Sequence, residues 1–310
     1  MPLQEGQGSL ELIKEVERLK KERNAIILAH YYQRPEIQVV ADFIGDSLEL
    51  ARQCINIDCD VIVFCGVYFM AEMAKILNPD KKVLIPYRKA GCILADSIDY
   101  YELKRLKESE GYYVVSYVNT SADVKALSDI ICTSRNAVDV VSKVKHDKIL
   151  FVPDRNLGEY CKVRTGKNIT LWDGYCPVHE RITPESILRV KEKFRDAIVA
   201  VHPECPPETI RIADFVGSTS QIIDFIIEVD GEEVIVGTES GMIFTIEEKL
   251  REKGISKRLL TPDPTPVCDQ MKMVTLERLV NSLREDIYEI NIDEEIIELA
   301  KIPILRMLSL

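Results

Sequence analysis

The chain reads as an α/β protein made of three pseudo-threefold-related α/β/α domains, each with a small parallel sheet, around one shared centre. Repetition is the first ground. Ala41-Asp42-Phe43-Ile44-Gly45-Asp46-Ser47 returns as Ser128-Asp129-Ile130-Ile131-Cys132-Thr133-Ser134 and again as Ala213-Asp214-Phe215-Val216-Gly217-Ser218-Thr219, the aspartates 87 and then 85 positions apart. A fixed period of this kind marks a repeated structural unit. The apolar runs around each copy are the second ground. One precedes the motif and ends in polar residues (Ile26–His30, Val114–Asn119, Ile198–His202). Another follows about 20 residues downstream (Val61–Phe64, Ile149–Val152, Val234–Val236), and a third comes later (Val83–Pro86, Asn168–Leu171, Arg258–Leu260). Strand runs apolar on both faces, alternating with helical segments, imply parallel sheets covered by helices. Finally, one cysteine stands shortly after each third run: Cys92, Cys176 and Cys268.

In chain order, Leu10, Ile13, Val16 and Leu19 form the stripe of a helix over Leu10–Arg23. Asn24–His30 is a buried strand. Pro35 suits the first turn of a helix reaching about Ala41. A short Phe43-Ile44 strand stops at Gly45, and Asp46 or Ser47 caps a helix over Leu48–Cys54. Strand Val61–Phe64, helix Phe69–Leu77, strand Lys82–Ile85 and helix Tyr101–Lys107 complete the first copy, with Asn78-Pro79 ending the middle helix. The second copy has strand Tyr113–Val118, helix Ala122–Leu127, strand Ile130-Ile131 and a helix from about Arg135 to Val144. The third begins at strand Ala197–Val201 and passes Cys268 to a helix over Leu276–Leu283. The last helix, Asp293–Leu308, is expected to break at Pro303. The repeat divides the chain at 1–109, 110–195 and 196–310, with boundaries near Glu108–Gly111 and Lys193–Asp196.

Composition narrows the function. A chain of 310 residues with 46% hydrophobic content can bury large cores. The formal charge of −11 argues against nucleic-acid or anionic-membrane partners, which require a basic surface, yet leaves room for a small anionic substrate. The early charged helix does not resemble a secretion signal, and the longest apolar run, Val61–Ala71, is a strand entering a helix. A soluble, cytoplasmic protein is expected. Nine cysteines in such a chain point to metal or catalysis before disulfides.

Cys92, Cys176 and Cys268 are equivalent thiols that can converge without close spacing. Soft sulfur ligands suit an iron–sulfur cluster or zinc; three cysteines on a [4Fe-4S] cluster would leave one iron open to substrate. Buried cysteines kept only by the ancestry of the repeat are the alternative. Cys54, Cys59 and Cys65 fall in a helix end and a core strand and read as packing, while Cys132, Cys161 and Cys205 have no equivalents. Ser47, Ser134, Ser218 and Thr219 stand at helix starts, as caps or, if the three copies face one pocket, as an anion-holding set. His30 and His202 end strands, where acid–base work or a backbone hydrogen bond would suit them, and Glu204 adds a carboxylate. Tyr32, Tyr117 and Asn119 share the strand-end position as hydrogen-bond donors. His179, three residues after Cys176, lies near whatever that thiolate binds. His146 falls in a charged surface loop.

Together, Ala29-His30-Tyr31-Tyr32-Gln33, Gly45-Asp46-Ser47, Met70-Ala71-Glu72, Tyr117-Val118-Asn119, Pro153-Asp154-Arg155-Asn156-Leu157-Gly158, Cys176-Pro177-Val178-His179, His202-Pro203-Glu204-Cys205 and Gly237-Thr238-Glu239-Ser240-Gly241-Met242 resemble the quinolinate synthase family, in order and over nearly the whole chain. The resemblance implies three α/β domains around a [4Fe-4S] cluster on Cys92, Cys176 and Cys268. It implies condensation of iminoaspartate with dihydroxyacetone phosphate to quinolinate, with loss of phosphate and two waters, in NAD biosynthesis, and a functional link to an enzyme that makes iminoaspartate. By the family pattern His30, Ser47, Tyr117, Asn119, Ser134, His179, Ser218 and Thr219 hold substrate groups, while Tyr32, His202 and Glu204 carry protons. Three departures stand out. Tyr175 replaces a frequent histidine, Tyr68 replaces a common aspartate, and Cys268 is not followed by a second cysteine three residues on. Other three-cysteine, three-lobed iron–sulfur enzymes, namely the reductase of isoprenoid biosynthesis and the diphthamide enzyme, and a non-catalytic metal sensor are the competing readings.

Overall fold

The computed structural model describes residues 7–55 and 57–310. Twelve strands among them form three four-stranded, wholly parallel sheets. The first contains β1 (Ala25–His30), β2 (Phe43–Gly45), β3 (Val61–Cys65) and β4 (Lys82–Leu84), ordered β2-β1-β3-β4. The second contains β5 (Tyr113–Tyr117), β6 (Ile130–Cys132), β7 (Ile149–Val152) and β8 (Ile169–Leu171), ordered β6-β5-β7-β8. β9 (Ile198–Val201), β10 (Phe215–Val216), β11 (Glu233–Gly237) and β12 (Arg258–Leu260) make the third, ordered β10-β9-β11-β12. Register agrees as well as order. Ala29 pairs with Cys65, Ser116 with Val152 and Val201 with Gly237, at equivalent places.

The repeated aspartate explains why the motif recurs. Asp42 accepts the Ile27 N–H on its carboxylate at 2.8 Å and donates its own N–H to the Ile27 carbonyl at 2.9 Å. Asp129 does the same with Val114, at 2.8 and 3.0 Å, and Asp214 with Val199, at 2.8 and 2.9 Å. Each side chain thus extends the ladder backwards from a strand only two or three residues long and docks it on its neighbour. Lys20 and Lys107 reinforce the first two copies with ion pairs of 2.8 Å to Asp42 and Asp129. Asp129→Ala should lower stability by about 1–3 kcal/mol, because it strands the Val114 N–H. An unchanged urea-unfolding midpoint would contradict this role.

The strands are apolar on both faces because helices cover both. β3 and β7 are buried at every position, and Phe64, Phe151, Ile62 and Leu150 are sealed within the cores. Cys54, Cys59, Cys65, Cys132, Cys161 and Cys205 are all buried; Cys92, Cys176 and Cys268 are only half-buried, which separates the nine thiols into two environments. After Cys268 the chain returns to the earlier sheets. Helix Leu276–Glu285 packs Leu276, Leu279, Val280 and Leu283 with Val16, Leu19 and Ile27. Helix Glu294–Leu308 lies on Ala122–Leu127 and β6.

That last helix corrects the expected break: it runs through Pro303, with no interruption. Proline costs about 3 kcal/mol inside a helix. Here Pro303 is itself buried and flanked by Ala300, Ile304 and Met307 in the core, so packing outweighs the missing hydrogen bond. The helix expected from Arg135 starts instead at Ala137, because the Asn136 carboxamide accepts the Thr133 N–H at 2.7 Å and holds the preceding turn. Among the described residues no helix is long and apolar enough to cross a membrane.

Candidate active site

Carboxyl ends of parallel strands are where α/β units place their ligands. Each sheet here presents the same layers at that end. His30, Tyr117 and His202 close or directly follow the central strands, and Tyr32, Asn119 and Glu204 stand two residues further on. Ser47, Ser134 and Thr219 follow the short strands β2, β6 and β10, and the three half-buried cysteines follow β4, β8 and β12. All twelve line one cavity, as does His179 from a short helical turn after Cys176.

Ser218 does not line it. Its hydroxyl is spent on the cap of helix Thr219–Glu228, accepting the Gln221 N–H in a capping box, which leaves Thr219 facing the cavity. In the first unit Asp46 caps helix Ser47–Ile55, accepting the N–H groups of Leu48 and Glu49 at 3.0 and 2.9 Å, so Ser47 is not consumed. Contacts between units tie these helix starts together. Ser220 donates to Asp46 at 2.6 Å and receives Arg135 at 2.5 Å.

Part of the lining is a dense hydrogen-bonded cluster. The Tyr117 hydroxyl donates to Glu204 Oε1 at 2.5 Å, and His179 Nδ1 lies 2.8 Å from Glu204 Oε2 and 3.3 Å from Cys176 Sγ. His179 Nε2 is 2.9 Å from the Thr238 hydroxyl, which in turn lies 2.6 Å from the Tyr32 hydroxyl. The His202 ring stacks on His179 with centroids 4.7 Å apart. Burial alone would raise the Glu204 carboxyl, but the adjoining His179 and the hydrogen bond from Tyr117 hold it below the ordinary carboxylate range. Burial pushes His202 down to about 3 and His30 down to about 4, so both rings are neutral at physiological pH. Burial and the Glu204 charge raise Tyr32 and Tyr117 well above the ordinary phenol, keeping both protonated.

The cysteines adjoin this cluster through Cys176. Burial pushes Cys92 up to about 12 and raises Cys176 and Cys268, with Glu204 and Cys92 adding to the effect at Cys176. The lining also carries Asp46, Glu204 and Glu239, and no lysine or arginine among the described residues. Three thiols in such surroundings are poor thiolates by themselves and need a cation to become good ligands. This donor set fits a thiophilic metal centre. A second donor set shares Cys176: its sulfur, a His179 nitrogen and a Glu204 oxygen all lie within 4.8 Å of one another.

Sequence reasoning placed Thr238 and Glu239 in a motif but gave them no role. Both are buried just past β11, Thr238 bridging Tyr32 and His179, and Glu239 accepting the Cys268 N–H at 3.0 Å. The signal was a Thr-Glu pair ending an apolar run, where no solvent-facing strand end is needed. The departures find partners as well. Tyr175 is exposed under the Arg155 guanidinium, 4.4 Å from its ring centre, and Met271 takes the place three residues after Cys268, its sulfur 3.6 Å from the Gln33 amide.

The chain matches the protein family described as Quinolinate synthetase A protein over residues 14–309. It belongs to that family. Among curated relatives, quinolinate synthase of Caldicellulosiruptor saccharolyticus is 49% identical over 299 residues, covering 96% of this chain and 97% of the relative. Quinolinate synthase of Aquifex aeolicus is 48% identical over 303 residues, covering 97% and 94%. That of Dehalococcoides mccartyi strain CBDB1 is 51% identical over 279 residues, covering 90% and 91%. Membership of the quinolinate synthetase A family marks the chain as an enzyme, and it puts the layered cavity at the centre of any account of activity.

Proposed function

We propose that this enzyme is a cytoplasmic quinolinate synthase of NAD biosynthesis, condensing iminoaspartate with dihydroxyacetone phosphate to quinolinate with loss of phosphate and two waters. One observation carries the reading: a cysteine from each of three units shares a cavity with Tyr32, His202 and Glu204. Cys92, Cys176 and Cys268 are the residues that would hold a [4Fe-4S] cluster, which when bound supplies an open iron as Lewis acid toward a substrate oxygen.

The chain's own residues supply the rest. Both substrates are anions, and the lining offers them neutral donors instead of ammonium or guanidinium groups. The hydroxyls of Ser47, Ser134 and Thr219 and the free N–H groups at the starts of helices Ser47–Ile55 and Thr219–Glu228 suit phosphate and carboxylate oxygens. Ser218 supports this set through the cap. His30 and Asn119 line the same cavity as further donors, Tyr117 does so beside Glu204, and His179 holds Glu204 in place. Such positioning supplies the effective concentration that two unstable reactants need.

Glu204, ionised and beside neutral His202, is the base that takes a proton from carbon. Tyr32, protonated and linked through Thr238 to His179, is the acid that gives a proton to a departing hydroxyl. Burial of all these groups excludes water that would hydrolyse the imine. The imine itself is short-lived in water, so its supply from an iminoaspartate-producing enzyme is part of this reading.

A single divalent ion on Cys176, His179 and Glu204 is the second reading, favoured by their mutual approach within 4.8 Å. The activity test is turnover of dihydroxyacetone phosphate and iminoaspartate by anaerobically reconstituted enzyme with no reductant present. Quinolinate is the expected product. A requirement for an electron donor would move the chain toward the reductive three-cysteine enzymes instead.

A further inference from the structure

One buried ion pair beside the cavity takes no part in the hydrogen-bonded cluster around Glu204. Glu239 Oε1 accepts the Cys268 N–H at 3.0 Å, and Oε2 accepts the Gly241 N–H at 2.7 Å. The Lys272 ammonium lies 3.0 Å from the carboxylate and donates to the Tyr32 carbonyl oxygen at 2.5 Å. Glu239 is 1% exposed and lines the cavity, whereas Lys272 lines an outer groove with Arg34, Glu36 and Glu247. The pair is therefore the wall between that groove and the cavity.

The local packing requires a carboxylate here. Two N–H groups from different segments and one ammonium converge on it, and an amide would have only one acceptor oxygen to offer. A methyl group at Gly241 would come within 2.8 Å of Glu239 Oε2 and of the Tyr32 carbonyl carbon, so the three segments are already in contact. Gln38 clamps the same turn from behind, its amide nitrogen 3.1, 3.0 and 3.2 Å from the carbonyls of Tyr31, Gln33 and Gly241. The equivalent of Glu239 is Val67 in the first unit, and in the second it is Asp154, whose Oδ1 caps Leu157 and whose carboxylate also faces the Cys176 N–H, but with no lysine or arginine paired to it among the described residues.

We propose that Glu239, with Lys272, is a positioning residue that locks the Cys268 loop and the Tyr32 turn into one frame, fixing the thiol of one unit against the phenol of another. The inference rests on the reading above, in which Cys268 is a ligand and Tyr32 a proton donor. Groups that orient metal ligands are worth about 10- to 100-fold in metal affinity or activity.

The test compares Glu239→Gln, Lys272→Met and the double variant by three measurements: kcat and KM, the unfolding midpoint, and iodoacetamide labelling of each cysteine in metal-free protein. Glu239→Gln is expected to lower kcat about 10- to 100-fold with a smaller change in KM. It should speed labelling of Cys268 while leaving Cys92 unchanged. Lys272→Met leaves a buried charge unpaired and lowers the midpoint, and the double variant regains part of it because no lone charge remains, although one N–H still lacks its acceptor. Its kcat stays low if the pair positions Tyr32 and Cys268. Recovery of kcat together with the midpoint would make the pair purely structural, and wild-type kcat and Cys268 labelling in Glu239→Gln would overturn the proposal outright. Should Glu239→Gln give no folded protein, Lys272→Met decides by the same labelling contrast and by kcat against the double variant. A wild-type enzyme that forms no quinolinate would sink the functional reading, while Cys268 labelling would still report on the frame.

Discussion

Glu204→Gln is expected to bind iron like the wild type and to lose about 10²- to 10⁴-fold in turnover, the range for removing a positioned proton-transfer group. The substitution preserves volume and leaves an oxygen for the Tyr117 hydroxyl at the 2.5 Å position. What it removes is the negative charge opposite His179 and the lone pair that takes a proton from substrate carbon. Near-UV circular dichroism should stay close to the wild type, since Tyr117 keeps its acceptor and the His179 ring can change tautomer to accept the new amide N–H. Steady-state quinolinate formation is the measurement. Wild-type turnover in Glu204→Gln would remove the base from the mechanism, and loss of iron along with activity would favour the Cys176–His179–Glu204 ion site.

Cysteine substitution should divide the nine thiols into two groups. Cys92→Ser and Cys268→Ser should each fail to retain a full iron complement after anaerobic reconstitution, because a hydroxyl is a far harder donor than a thiolate. Cys54→Ser should retain it. That thiol sits in the core among Leu50, Phe64 and Ile76, and burial pushes it up to about 12. Its replacement would cost stability, about 1–3 kcal/mol for burying a hydroxyl, with the iron content unaffected. Equal iron loss in Cys54→Ser would mean that the distinction between half-buried and buried thiols does not identify ligands.

The fold was legible because the repeat carries its own alignment. Asp42, Asp129 and Asp214 make the same pair of hydrogen bonds to their strands, so the spacing seen in the letters is the spacing of a physical junction. The same alignment places His30 with Tyr117 and His202, and Tyr32 with Asn119 and Glu204. For that reason residues of different chemistry could be gathered into one cavity from sequence alone.

What escaped has local causes. Ser218 and Thr219 are adjacent hydroxyls, and only the capping geometry decides that Ser218 serves the helix and Thr219 the cavity. Ser47 is spared because its neighbour Asp46 caps instead. Pro303 reads as a break until the core that holds both sides of it is visible. Thr238 and Lys272 act across units, Thr238 reaching Tyr32 and His179 and Lys272 reaching Tyr32, 240 positions away, while Glu239 reaches Cys268 across its own unit. No periodicity along the chain encodes contacts of that range.

The central claim is that three thiols from three units hold one cluster. Iron and acid-labile sulfide, determined on anaerobically prepared wild type and Cys176→Ser, test it most directly. About four irons and four sulfides per wild-type chain, lost in Cys176→Ser, are the predicted result. Stoichiometric zinc with no sulfide, or a full cluster surviving in Cys176→Ser, would contradict it.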